Sequence, residues 1–250
     1  MQHSLSDLYQ VVVLKNAFYQ MHRTEVKNWF HQLLSLKCDG YAEKHSARFL
    51  PVNSYDFFAI HLLLCHKKSG TPIFCSKIVP YSSCVFFNLK FPLFELESDF
   101  KPHEWSELLS LIESRVHVGK DLSYSGGFTI NPQDKGFGKS PLFKDLYTGL
   151  HYLAHLHFHL TSVFGFGAVK IGTADFFKTW GVTPLKTSQG EMSPIVVKYG
   201  NALESLLLWG DIENVSDYKK RMGTQFKDLW DQRVEYSQDF EEQYLLKKSA

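Results

Sequence analysis

The chain has 250 residues, of which 44% are apolar and 21% charged, a balance that supports a large core and excludes extended disorder. Lys and Arg total 27 against 26 for Asp and Glu, so a net charge of +1 gives no general reason to expect nucleic acid or an anionic membrane as partner. Cys38, Cys65, Cys75 and Cys84 form neither a Cys-x-x-Cys pair nor a dense disulfide spacing, which fits a reducing compartment. The start, Met-Gln-His-Ser, lacks the basic flank and apolar stretch of an export signal, and no apolar run reaches membrane-spanning length. The expectation is therefore a cytoplasmic protein without membrane insertion, built as one elaborated domain over 1–250 with its core at about 40–210.

Taken in chain order, residues 5–36 carry Leu8, Val12, Phe18, Val26, Phe30 and Leu33 near helical spacing and predict one bent or two consecutive helices. After Asp39-Gly40 the character changes. Residues 55–65 and 73–80 are β-rich and flank the polar turn His66-Lys-Lys-Ser-Gly70-Thr-Pro72, which predicts an antiparallel hairpin. The aromatic stretch 86–94 contains Pro92 and reads as a loop or edge strand. Residues 103–116 predict a helix with Trp105, Leu108, Leu109 and Ile112 on one side. Next come a strand at 122–130, a Gly-containing loop at 131–138, and Ser140-Pro141, an N-cap followed by Pro at the first helical position. The helix should run to about 160, followed by a strand at 162–166, a helix at 173–180 and a strand at 195–199. Residues 215–250 are charged and amphipathic and predict helix, leaving Gly40 and Gly210 as the candidate boundaries.

The segment Ile130-Asn-Pro-Gln133-Asp-Lys-Gly136-Phe-Gly138-Lys-Ser140 joins a strand to a helix N-terminus, where unpaired N–H groups and the positive end of the helix dipole favour an anion. Two glycines let the backbone approach a phosphate closely. The spacing is not that of a Walker A loop, and a dinucleotide fingerprint would need a third glycine and a downstream acid. Gln133-x-x-Gly136-x-Gly138, followed downstream by Phe176-Phe177-Lys-Thr-Trp-Gly181-Val182, resembles the Gln/Arg-x-x-Gly-x-Gly/Ala loop with which acyltransferases of the GNAT superfamily hold the pyrophosphate of coenzyme A. Asp56 to His61, Lys77-Ile-Val-Pro80 and Thr183-Pro184-Leu185 extend the resemblance to the acyl-homoserine-lactone synthases and N-acyl amino acid synthases.

The resemblance implies an α/β fold with a mixed, mostly antiparallel central sheet flanked by helices, plus additional N- and C-terminal helices. It implies an N-acyltransferase that moves an acyl group from acyl-CoA or an acyl-carrier protein, used as co-substrate, to the amine of a small acceptor by direct attack, with no metal. The alternative is a non-catalytic protein of the same fold that binds CoA or long-chain acyl groups. Phe128, Ile130, Gln133, Gly136, Phe137, Gly138, Lys139 and Ser140 would line the donor site. The family's usual Glu base and Tyr acid are replaced here by Tyr124 and Phe177, the strand reads Tyr124-Ser125-Gly126-Gly127, and Lys77 stands where Arg is customary. Tyr124 is the first candidate for a catalytic role, and His61, whose side chain titrates near neutrality, the second. The run His151-Tyr-Leu-Ala-His155-Leu-His157-Phe-His159 places three histidines along one helical face and reads as a solvated stripe rather than a zinc site, because no third ligand or supporting carboxylate is evident.

Overall fold

The computed structural model describes residues 4–44, 52–197 and 203–237. Its centre is a twisted sheet built from β1 (Tyr9–Lys15), β2 (Ile60–His66), β3 (Pro72–Pro80), β4 (Leu122–Ile130), β5 (Ser162–Ala168), β6 (Leu203–Asp211) and β7 (Val234–Tyr236), in the order β7-β1-β2-β3-β4-β5-β6. The short strands Thr183–Pro184 and Ile195–Val197 both pair with β6. All pairings are antiparallel except β1 with β7 and β4 with β5. The mixed, mostly antiparallel sheet flanked by helices is as the sequence predicts.

Two helical layers cover it. α1 (Thr24–Lys44) and α2 (Pro102–His117) lie on one face, where Val12, Leu14, Leu63, Cys65 and Cys75 meet Val26, Phe30 and Leu33 of α1. α3 (Pro141–His157), α4 (Thr173–Lys178), α5 (Asp217–Gln225) and α6 (Lys227–Asp231) lie on the other, where Val11, Val13, Leu62, Leu64 and Phe74 meet Leu146, Tyr147, Leu150, Met222 and Phe226. Alternate residues of each strand thus feed opposite cores, and each fully buried Val or Leu contributes about 1.5–3 kcal/mol. Burial also pushes the Cys65, Cys75 and Cys84 thiols up to about 12, so all three act as apolar packing groups.

Several predicted elements are corrected. Residues 9–15 form a strand rather than helix: Val11-Val12-Val13-Leu14 is a β-branched run buried on both faces, and its apolar continuity concealed the two-residue period. Leu203–Asp211 is a strand that was not anticipated. The stretch around 86–94 contains a helix, Tyr81–Phe86, and a 3-10 helix, Pro92–Asp99. Gly40 lies inside α1 against Thr129, and Gly210 lies inside β6. Of the predicted C-terminal helix, 217–225 and 227–231 are helical and 234–236 is a strand, while 238–250 lie outside the described residues. No helix among the described residues is long and apolar enough to cross a membrane.

Candidate functional site

β4 and β5 run side by side only from Leu122↔Ser162 to Ser125↔Gly165. Beyond that vertex they part. Gly126–Ile130 stays with β3, and Phe166–Ala168 stays with β6. A register shift opposite Cys75–Lys77 and a positive φ of 61° at Gly127 bend the β4 arm away. The bulge also changes which face each residue serves. Ser123 and Ser125 point to α3, Gly127 offers its Cα to Lys77 and Lys37 on the α1 side, and Phe128 returns to α3 with its ring 4.7 Å from Tyr147. The result is a cleft that interrupts the sheet, with facing backbone edges on the two arms that no longer pair with each other.

At the open end of the β4 arm the chain turns through Pro132–Asp134 and the short helix Lys135–Gly138 into α3. Ser140 caps α3 by accepting from the Phe143 N–H at 3.1 Å, as the Ser-Pro pair predicts. The loop is more tightly folded than an open glycine loop, because the N–H groups of Lys139 and Ser140 already bond the carbonyls of Gly136 and Phe137. Gly136 faces open space, whereas a Cβ at Gly138 would lie 2.7 Å from Ile130 Cδ1. Gln133 and Lys139 are exposed. Phe137 packs between Tyr9 and Phe143 at ring distances of 5.6 and 5.7 Å, so it anchors the loop to the core. Beside the loop, Pro141, Lys144 and Asp145 of α3 face Gly172, Asp175 and Phe176 across a groove of about 540 Å³. At the vertex, Ser125, Gly165, Phe177, Trp180 and Leu208 enclose a small cavity of about 20 Å³.

The structure therefore gathers Phe128, Ile130, Gln133, Gly136, Phe137, Gly138, Lys139 and Ser140 at one arm and mouth of the cleft. Tyr124 lies at the vertex on the face opposite Ser125, half-buried, with its ring 6.3 Å from Phe166. His61 is elsewhere, on β2 under α1, fully buried, with Nε2 2.7 Å from the Asp56 carbonyl and Nδ1 lacking a partner among the described residues. Burial depresses its pKa to about 4 against the pull of Asp56, so it is neutral near pH 7.

Two groups of buried polar side chains flank the β4 arm, and neither was anticipated. On the α1 side, Asp56 forms ion pairs with Lys37 and, at 3.2 Å, Lys77, whose Nζ also donates to Asn53 Oδ1 at 3.0 Å. Burial raises the Asp56 pKa, but Lys77 and Lys37 more than offset that and hold it at about 2. Burial brings Lys77 down to about 8, assisted by Lys37 and opposed by Asp56. On the α3 side, His151 and His155 are fully buried, which corrects the reading of a solvated stripe. Their Nε2 atoms lie 2.9 and 3.0 Å from the hydroxyls of Ser125 and Ser123. The available signal was the Ser123-x-Ser125 alternation on a strand otherwise destined for burial, which supplies two hydroxyls at the spacing of one strand face.

No protein-family model matches the chain, and no curated protein matches its sequence. Solved structures do share its fold. The acyl-homoserine lactone synthase LasI aligns over 93% of this chain and 98% of its own, with a TM-score of 0.50 and 13% identity. BjaI, a CoA-dependent acyl-homoserine lactone synthase solved with SAM and isopentyl-CoA, covers 92% and 95% with a TM-score of 0.55 and 12% identity. TofI, in a ternary complex with an inhibitor and MTA, covers 84% and 96% with a TM-score of 0.52 and 11% identity.

Proposed function

We propose that this protein is an N-acyltransferase that moves an acyl group from acyl-CoA or an acyl-carrier protein to the amine of a small acceptor by direct attack. The observation that carries the reading is the parting of β4 and β5 at Ser125 and Gly165, combined with the capped N-terminus of α3 at the mouth of the same cleft. A pantetheine arm is an extended, amide-bearing chain, and the freed backbone edge of Gly126–Ile130 offers it the hydrogen bonds of a missing strand. The pyrophosphate would lie at the α3 N-terminus beside Gln133, Gly136, Gly138, Lys139 and Ser140, where the helix dipole favours negative charge. A backbone N–H at the vertex would meet the oxyanion as the amine attacks the thioester. Tyr124, on the other face of the vertex, is assigned to the acceptor side; His61, neutral and buried beside Asp56, is assigned to supporting the acceptor end. The fold shared with BjaI, solved with isopentyl-CoA, supports a donor of the acyl-CoA class.

The test is calorimetric binding of CoA, acetyl-CoA and octanoyl-CoA to the full chain and to Gly138→Glu, which puts bulk and negative charge at the α3 N-terminus. We expect binding by the wild type and loss of at least tenfold in affinity in the variant. Binding unaffected by Gly138→Glu would overturn the donor site; binding of none of the three would overturn a CoA donor and leave the carrier-protein arm, tested with octanoyl-loaded carrier protein.

A further inference from the structure

A lysine buried in a protein interior normally has a carboxylate beside it, because an unpaired ammonium is costly to desolvate. Lys219 of α5 does not. It is fully buried, and no carboxylate among the described residues lies within ion-pair distance of it. Its Nζ lies 3.3 Å from His151 Nδ1 and 4.3 Å from the centre of the Trp180 ring. The groups that face it are His151 and His155 from α3 and Trp180 from the segment after α4. Asp145 of α3 instead accepts the hydroxyl of Tyr218, and on α5 and α6 Asp217, Lys220, Arg221, Lys227, Asp228 and Asp231 are exposed.

The two buried histidines differ in one respect. His155 Nδ1 is 2.8 Å from the His151 carbonyl, which can only accept, so His155 must carry its proton on Nδ1, and its Nε2 is left as an acceptor that shares the single Ser123 hydroxyl proton with the Ser162 carbonyl. His151 Nδ1 faces an amine, which can only donate when charged but can also accept when neutral. A charged Lys219 therefore fixes His151 as the Nε2–H tautomer, and a neutral Lys219 opens the other one. With Lys219 neutral, Nδ1–H can donate to the amine while Nε2 accepts the Ser125 hydroxyl; with Lys219 charged, every bond in the chain reverses. Ser125, at the other end, is half-buried, pairs with Gly165 at the cleft vertex and lines the 20 Å³ cavity there.

We propose that Ser125, His151 and Lys219 form a proton relay that serves acyl transfer, with Lys219 as the terminal base. This rests on the reading that the thioester of the donor occupies the cleft. As the amine adds to the thioester carbonyl, its surplus proton passes to Ser125 Oγ, the Ser125 hydroxyl proton passes to His151 Nε2, and the His151 Nδ1 proton passes to Lys219 Nζ. When the carbon–sulfur bond breaks, the same path returns one proton to the departing thiolate. Amide and thiol are the products, and the relay is restored without a cationic imidazole. Burial, with the charges of His155 and Lys219, holds His151 well below the usual imidazole range, which favours conduction over storage, while burial brings Lys219 down to about 7. The relay supplies the base that the strand lacks where the related acyltransferases carry Glu.

The first test reads the relay without turnover. In the full chain labelled with ¹⁵N-histidine, His151 is expected to switch from the Nε2–H to the Nδ1–H tautomer as pH rises through about 7, while His155 stays Nδ1–H throughout. Lys219→Met should abolish the switch. A His151 that keeps one tautomer across that range, or that becomes imidazolium in it, overturns the relay. The second test follows thiol release from octanoyl-CoA with hydroxylamine as the amine probe. Ser125→Ala should lower the rate by about 10²-fold and remove the rise with pH through about 7, and Ser125→Thr should restore both. An unchanged pH profile in Ser125→Ala overturns the catalytic role. Absence of thiol release from the wild type counts against the acyltransferase reading, and the tautomer switch then still decides whether the hydrogen-bond chain reverses.

Discussion

The two faces of β4 each bury lysine, and they handle it in opposite ways. On the α1 face, Lys37 and Lys77 share Asp56, a fully buried carboxylate that they hold ionised. On the α3 face, Lys219 has an imidazole and an indole ring for company and, among the described residues, no carboxylate within ion-pair distance. In the first case charge fixes geometry: the ion pairs tie α1, the 53–57 turn and β3 together behind the β4 arm. In the second, the amine is kept near its point of titration, which suits moving a proton. One buried cation is a pin and the other a switch, and the carboxylate makes the difference.

The strongest way to break the comparison is to remove that carboxylate. Asp56→Asn preserves shape and the acceptor for the Asn53 N–H, yet leaves Lys37 and Lys77 buried without a counter-charge. The expected cost is about 3–5 kcal/mol in denaturant unfolding. In the wild type the same pairing has an acid signature. Asp56 is depressed from 3.8 to about 2, so its stabilisation is complete above 3.8 and is lost as pH falls toward 2. His155, lowered by burial from 6.5 to about 3, adds a loss of stability as pH falls from 6.5 toward 3.

Lys219→Met should act in the opposite direction. Lys219 is depressed from 10.5 to about 7, so between those values the unfolded chain binds the proton that the folded chain has released, and stability rises with pH. Lys77 contributes the same sign between about 8 and 10.5. Below about pH 7 the methionine variant should be more stable than the wild type by about 1–4 kcal/mol, and the advantage should shrink as pH rises and vanish above 10.5, where the amine is neutral in the folded and the unfolded chain alike. Thermal melts across that range measure it. A destabilised Lys219→Met at low pH would show that the amine has a counter-charge after all and would merge the two cases.

How much of this was legible beforehand follows from what each feature requires. Strand β4, the loop and the cap of α3 could be read because Ser140-Pro141 is a local signal with a local cause. The hairpin of β2 and β3 was legible for the same reason, through Gly70 and Pro72 at its turn. Strand β1 was not, because burial on both faces erases alternation and leaves a Val run that fits a helix equally well. The buried lysines were beyond reach for a different reason. Lys37 and Lys219 each lie on an amphipathic helix among exposed charges, and only packing against Asp56 in one case and Trp180 in the other sets them apart. The His151 and His155 stripe had the correct helical face but the wrong environment, since its partners, Ser123 and Ser125, come from a strand 26 to 32 residues earlier.

A milder perturbation tests whether the pin is coupled to the bend of the cleft. Gly127 has a φ of 61°, and a Cβ there would lie 3.3 Å from Lys77 Cβ and 3.5 Å from Lys37 Nζ. Gly127→Ala should cost about 1–2 kcal/mol from the left-handed backbone alone. Gly127→Asn should cost less, because Asn tolerates that region better. If the bend is what keeps the cleft open, octanoyl-CoA affinity will fall in Gly127→Ala by more than in Gly127→Asn, in the same order as stability. Equal stabilities for the two variants would place the cost in crowding against Lys77 rather than in the backbone.

The smallest expected effect is the one that best isolates the switch. Ser123 and Ser125 bond neighbouring histidines on one face of β4, but Ser123 is fully buried, its partner His155 is fixed in one tautomer by a carbonyl, and its hydroxyl lies 3.0 Å from the Ser162 carbonyl as well. Ser123→Ala removes a hydroxyl from a closed network, so it should cost about 1 kcal/mol of stability and leave the pH dependence of thiol release unchanged. Ser125→Ala removes the end of an open network facing the cleft, so stability should change less and the pH dependence should disappear. Measured side by side, the two serines separate a hydrogen bond that supports the fold from one that carries a proton. If both variants flatten the pH profile, the histidine pair acts as a single unit and the relay extends through His155 to Ser123; if neither does, the base for acyl transfer lies on the Tyr124 side of the strand.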